Sequence, residues 1–487
     1  MKKKQLLTVL TLCIVLVGLC GGYFLINQYQ SKKEKAESQE EEETVLYSLK
    51  EDEITKLHYV NEKADITLVK EQDEWKLQDD KSFPVEQSVI ENMVQTAASV
   101  SATRMITKDC EDLSEYALEK PVLQIELTDK DGNQQQIAYG MESAAAEGCY
   151  AYAGDKKKIY VVPSNATTEF DYSKSELMQL PELPEINAEY VTSYQVESKG
   201  KTTFCAVYDK ENAKYKDIYG WDITSPYSQT VAGDTDGLQN AFSGITALSF
   251  SEGVSYKADK KELKQYGLSS PAYTVKVKYY TVDSDDEEDT AETETEVDEK
   301  DKKYHTLTLR IGAQDDTQEN YYVQMEKDAG IYLLPSETVE SIAKIDAFQC
   351  AYRVPCPADT ETLQQISLKY QNKNYTMLLS KKAEKDGDET EYAYTAKING
   401  KKVDDEKFRT AYEALGEIEY SSEIKKNVKD NTPVAVLRFT NDGKKSTVKF
   451  LPYDGVNFYR VDVDGVCQFL AEKNTVDYAL ENLISVK

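Results

Sequence analysis

Alternating apolar and polar positions run through most of this chain and predict strands far more often than helices. Ile54 to Tyr59, Asp65 to Lys70 and Glu74 to Leu77 read as three short strands bounded by turn residues. The period then changes. Val89, Ile90, Met93, Val94, Ala97 and Val100 recur at helical spacing, which predicts a helix near Val85 to Ala102 with one apolar face. Strands follow at Val122 to Leu127, Gln135 to Tyr139, Tyr150 to Ala153 and Ile159 to Val162. The same succession returns twice. Val191 to Val196, Thr203 to Tyr208 and the strand at Trp221 precede a helix about Gly237 to Leu248. Ile366 to Tyr370, Tyr375 to Leu379 and Tyr392 to Ile398 precede one near Asp404 to Gly416. That last series continues through four strands, from 433 to Leu470, and closes on an amphipathic piece ending near Leu483. Mostly antiparallel sheet with one main covering helix per series is the α+β class.

Short signatures recur in step with this pattern. Tyr116 to Leu127 reads YALEKPVLQIEL, Tyr266 to Val277 reads YGLSSPAYTVKV, and Val428 to Phe439 reads VKDNTPVAVLRF, each placing a proline before an alternating strand. In the first two series IYVVPS at Ile159 and IYLLPS at Ile331 follow, while the third has a looser counterpart around Val466 to Leu470. A fixed order of signals predicts three tandem copies of one domain, at 44–183, 184–357 and 358–487. From Pro121 to Pro163 is 42 residues, and from Pro271 to Pro335 is 64. The difference of 22 equals the acidic run from Thr281 to Lys302, which reads as a disordered hairpin-loop insertion of about 281–302.

The beginning of the chain follows another logic. Lys2, Lys3 and Lys4 precede Leu6 to Ile26, 21 residues without a charge, long enough as a helix to cross a bilayer. No A-x-A-like cleavage site follows, and Leu19 before Cys20 is bulky where lipoprotein processing wants a small residue, so an uncleaved transmembrane anchor with limits Leu6 and Ile26 is expected over 1–30. Lysines flank both ends, and the anchor's closeness to the start sets the orientation: a short cytoplasmic end and an extracytoplasmic body on a single-pass membrane protein. The charged stretch 31–43 reads as a stalk.

Composition narrows the chemistry. A formal net charge of −29, from 87 acidic and 58 basic residues, sets the body against nucleic acid. Thirty-five tyrosines against 12 phenylalanines suit half-buried strands. A Ser-His-Asp or Cys-His arrangement would need His58 or His305 as its base, neither recurs between copies, and no nucleophile-elbow, zinc-protease or phosphate-loop pattern occurs, so no catalytic residue, metal ligand or cofactor is expected. The carboxylates of Asp283 to Asp289 lack the glycine turn of a calcium loop. Aromatic pairs at Tyr150 and Tyr152, Tyr321 and Tyr322, and Phe458 and Tyr459 fall on corresponding strands, read as cross-strand packing ahead of a ligand platform. Cys350 and Cys356, in CAYRVPC, are near enough in sequence for a disulfide if the turn between them brings them together.

An anchor, a charged stalk and units carrying YxLxxP followed by an IY-apolar-apolar-PS strand resemble the bacterial domain-of-unknown-function 4340 family, with the first two copies the better matches. That resemblance implies a membrane-anchored protein encoded beside ABC-2-type exporter permeases and gliding-motility-like proteins. The expected role is therefore a non-catalytic extracytoplasmic accessory of an ABC-type export system, with a permease or other envelope protein as partner. A carboxylate-dependent surface hydrolase and a wall-binding spacer or adhesin are the alternatives.

Overall fold

A computed structural model describes residues 44–144, 147–215, 218–282, 297–386 and 389–487. The expected anchor from Leu6 to Ile26, the stalk and most of the acidic insertion lie outside these residues. Among the described residues no helix is long and apolar enough to cross a membrane. The chain divides into two compact units, Met1–Leu180 and Pro181–Lys487.

The first unit runs β1 (Thr44–Ser48), β2 (Ile54–Val60), β3 (Asp65–Glu71), β4 (Glu74–Leu77), α1 (Gln87–Ala98), β5 (Ser99–Ala102), β6 (Arg104–Thr107), β7 (Leu123–Asp129), β8 (Gln134–Ser143), β9 (Gly148–Ala153), β10 (Ile159–Val162) and α2 (Asn165–Glu169). Eight strands form one sheet in the order β4-β3-β2-β7-β8-β9-β10-β6, and β1 pairs with β5 beside it. Alternation decides which face is wet: Leu57, Tyr59, Leu123, Ile125 and Leu127 are buried, and Ile90, Met93, Val94 and Ala97 of α1 meet the interior. The helix stops four residues short of the expected Ala102. From Ser99 the period becomes two, with Val100 and Ala102 buried, and the segment pairs with β1, a partner that helical periodicity cannot reveal.

The second unit holds two sheets. Its first half runs β11 (Val191–Ser198), β12 (Lys201–Tyr208), β13 (Trp221–Ser225), β14 (Val231–Ala232), α3 (Thr235–Thr246), β15 (Glu252–Ser255), α4 (Lys260–Gln265), β16 (Tyr273–Thr281), β17 (Lys303–Gln314), β18 (Asn320–Met325), β19 (Ile331–Pro335) and α5 (Ser336–Ala343). The other half runs β20 (Leu363–Tyr370), β21 (Lys373–Asp386), β22 (Glu389–Ile398), β23 (Lys401–Val403), α6 (Asp405–Glu413), β24 (Tyr420–Glu423), β25 (Ala435–Asn441), β26 (Lys444–Pro452), β27 (Phe458–Val463), β28 (Val466–Glu472) and α7 (Lys473–Ser485). The strand orders, β14-β13-β12-β11-β16-β17-β18-β19-β15 and β23-β22-β21-β20-β25-β26-β27-β28-β24, repeat that of the first unit with one added edge strand. Thr281 pairs with Lys303, so the acidic insertion leaves and re-enters at the tip of the β16–β17 hairpin.

The α+β class stands, as mostly antiparallel sheets with helices. The expectation of one main helix per sheet needs amending. A second helix follows the last long strand each time, and in the second unit α5 packs on α3 and α7 on α6. The first two of these helices are short or follow the sheet signal directly, which hides their period, whereas α7 is the amphipathic piece expected to end near Leu483. In the β11–β19 sheet, Tyr194 stacks on Phe242 of α3 at 4.7 Å between ring centroids and donates its hydroxyl to Ile342 O of α5 at 2.8 Å, tying both helices to one strand.

The repeated YxLxxP signature has a physical basis. Ala117 and Gly267, each after the tyrosine, are left-handed with φ of 55° and 75°. The turn drives Leu118 and Leu268 into the core and lays Tyr116 against Tyr150 at 5.1 Å and Tyr266 against Tyr322 at 4.2 Å. Gly140 and Gly312 let the tyrosine carbonyl approach, because a Cβ there would lie 2.2 Å from Tyr116 O and 2.1 Å from Tyr266 O. The third sheet lacks the tyrosine and the leucine. At the strand position of Tyr150 and Tyr322 it carries Arg460, buried at 7% exposure, which donates to Asp430 O, to Asn431 Oδ1 at 3.1 Å and to Pro452 O at 2.9 Å. An arginine thus holds the loop that aromatic packing holds elsewhere.

Candidate functional site

A recess of the second unit forms where its two sheets meet, and small residues create it. Gly244 of α3 faces Ser341 of α5, where a Cβ would come 2.3 Å from Ser341 Oγ. The chain leaving α5 passes the start of α3, where Gly237 makes room for Gln349 O. Asp234 caps α3 by accepting from Gly237 N at 2.9 Å. These segments enclose an open cleft of about 630 Å³, walled by α3, by Ser341 and by residues 344–354, with Glu419 on the far side.

The floor of the cleft is also the joint between the sheets. The Asp234 N–H donates to Cys350 O at 2.8 Å and the Tyr352 N–H to Ala232 O at 2.9 Å, so this segment lies along β14. One residue on, Arg353 O accepts from the Tyr420 N–H of β24 at 2.9 Å. Tyr227, Phe348 and Tyr420 surround Phe469 at centroid distances of 5.1, 5.6 and 4.6 Å. Gln229 Nε2 donates to Gly465 O at 3.0 Å and Gln468 Nε2 to Ser228 Oγ at 2.9 Å. Buried aromatic contact and backbone bonds together make this a fixed joint.

Four carboxylates line the cleft, Asp234, Asp236, Asp346 and Glu419, with Lys344 and Arg353 as the cations. Asp234 is committed to its helix cap and Asp346 to the Phe348 N–H at 3.0 Å, while Lys344 pairs with Glu340 at 2.5 Å. Burial, then the charges of Asp346 and Asp234, push the Cys350 thiol up to about 12. At neutral pH it is protonated and carries no nucleophilic chemistry.

The residues singled out from sequence scatter. Cys350 and Cys356 are both free and buried: Cys350 Sγ lies 3.8 Å from Gly237 O at the head of α3, whereas Cys356 belongs to the core under the β20–β28 sheet, where burial pushes it up to about 12. The turn sends the two thiols to separate interiors in place of the disulfide that their spacing allows. Leu6 and Ile26 lie outside the described residues, as do Asp283 to Asp289. His58 bonds Asp65 Oδ1 at 2.8 Å, and His305 bonds Thr281 Oγ1 at 3.0 Å while stacking on Tyr279. Among the described residues no group of three or more His, Cys, Asp or Glu side chains could hold a metal ion. Of the paired aromatics, Tyr150 and Tyr322 pack on the motif tyrosines, and Tyr459 is buried with its hydroxyl on Asp477 Oδ1 at 3.0 Å. The cleft itself escaped the sequence reading, although two glycines inside one helix, Gly237 and Gly244, were a signal of close approach.

The family model described as "Domain of unknown function (DUF4340)" fits residues 75–217 and 221–436, well over half of the chain. No curated protein and no solved structure matches.

Proposed function

The chain belongs to the DUF4340 family, and from that premise we propose that it is a non-catalytic, membrane-tethered extracytoplasmic protein whose tandem sheet domains bind a protein partner. The apolar run from Leu6 to Ile26 would supply the tether, and three copies of one domain at 44–183, 184–357 and 358–487 the body. The partner we propose is a component of an ABC-type export system, bound at the cleft between the second and third sheets. The observation that carries the reading is the joint: two sheets are locked by shared backbone bonds and an aromatic cluster, and the recess they share is preformed.

Crosslinking of the tagged full-length protein in intact cells, followed by mass spectrometry, is the test. Recovery of transporter subunits crosslinked to residues 234–244 or 344–354 is expected. Recovery of wall polymer alone would sink the export reading.

A surface hydrolase is the second reading, favoured by the carboxylates of the same cleft. Two of the four are occupied by backbone turns, which leaves Asp236 and Glu419 as its acid and base. Replacing both by their amides would abolish hydrolysis of wall polysaccharide if that reading holds, and would leave partner crosslinking in place.

A further inference from the structure

A second cavity lies on the other face of the β11–β19 sheet. Leu307, Leu309 and Ile311 of β17 are buried, so Thr308 and Arg310 point to the opposite side. Register places Thr274 of β16 and Gln324 of β18 directly beside Arg310, and Lys276 beside Thr308. Leu263 of α4 and the turn after β18 complete the walls of a cavity of about 540 Å³.

Its polar groups are arranged in an unusual way. Among the described residues Arg310 has no carboxylate at ion-pair distance, in a chain of net charge −29. Neutral acceptors hold the guanidinium instead: Nη1 donates to Gln324 Oε1 at 3.3 Å and Nη2 to Leu268 O. Gln324, only 7% exposed, is fixed by its own bond from Nε2 to Asp328 O at 3.1 Å. Two carboxylates line the cavity. Asp328 is occupied by the Gly330 N–H at 2.7 Å and the Tyr332 hydroxyl at 2.9 Å, and Glu326 is exposed, as is Lys327. Thr308 Oγ1 is buried without a hydrogen-bond partner, and the exposed Lys327 lines the cavity from a left-handed turn with φ 72°.

We propose that this cavity binds a phosphate group. An arginine has five donors in a planar fork, of which two are committed here, and an unpaired buried hydroxyl calls for an acceptor. Donors from Arg310, Thr308 and Lys327 come from three separate strand and turn positions. A tetrahedral phosphate offers oxygens in several directions to such a set, whereas a planar carboxylate would leave donors unpaired. The site is independent of the cleft and of the function proposed for it.

The full-length protein in neutral detergent, titrated at constant ionic strength with inorganic phosphate, glycerol phosphate and a poly(glycerol phosphate) oligomer, supplies the test by calorimetry. Saturable binding of at least one probe, one per chain, is expected, weakened about tenfold in Thr308→Val and in Lys327→Gln by loss of one charge-assisted hydrogen bond. Both substitutions leave the partners of Arg310 intact, and an unchanged thermal transition verifies folding. Binding of the small phosphates identifies a soluble ligand, and binding of the oligomer alone a phosphodiester polymer. No saturable binding of any probe, or equal binding in wild type and both variants, overturns the proposal.

Discussion

Gly140 and Gly312 show how one missing atom fixes a local structure. A Cβ at either site would press into the carbonyl oxygen of Tyr116 or Tyr266, and a backbone oxygen cannot swing aside as a side chain can. Gly140→Ala or Gly312→Ala should therefore destabilise its unit by about 1–3 kcal/mol, the usual range for overpacking, read as a lower midpoint in urea. The buried thiols behave differently, since their effect depends on pH. Cys350 and Cys356 are both raised from 9.0 to about 12 in the folded chain, so the stability they contribute is complete below pH 9 and is lost as pH rises toward 12. Tyr412, pushed up to about 12 in the same core as Cys356, adds to this decline. Urea melts at pH 8 and pH 11 should show it, and Cys356→Val should shrink the difference. In the native protein at pH 8 these two thiols should resist alkylation while the half-buried Cys110 and Cys205 react.

At the scale of elements, strands were far more legible than their partners. Period-two runs mark a strand wherever one face is wet, so nearly every long strand lies close to where alternation placed it. β6, β14, β15 and β24 have two to four residues each, too few for a period, and they exist because a neighbouring strand offers bonds. The candidate cleft was opaque for a similar reason. Its residues come from α3, from the chain after α5 and from Glu419, and only tertiary packing brings them together. Arg460 illustrates how a lost motif is compensated. Removing its guanidinium leaves Asp430 O and Pro452 O without these donors, so Arg460→Met should cost about 1–3 kcal/mol. Arg460→Lys should not restore that stability, because an ammonium lacks the fork that reaches three acceptors at once. Equilibrium unfolding of the two variants decides this.

For the molecule as a whole, the consequential contact is the cluster around Phe469. Its ring is 4% exposed and meets aromatic side chains from both sheets of the second unit. Truncation of a buried phenylalanine costs about 3–5 kcal/mol, and here that loss falls on the joint as well as on one core. Phe469→Ala should therefore split the unfolding of this unit into two calorimetric transitions where the native unit should show one.

The segment that crosses the joint also limits how copies of this protein meet one another. An outer strand with idle backbone groups is a template on which other molecules polymerise. Ala351 and Tyr352 occupy that side of β14, and Arg353 takes up a bond of β24, so one margin of each sheet in the second unit is engaged by the chain itself. The opposite margins are β15, of four residues, and β23, of three, where Lys401 and Lys402 oppose fibril growth by charge. The two sheets of the second unit should thereby resist amyloid-like stacking when many copies crowd together.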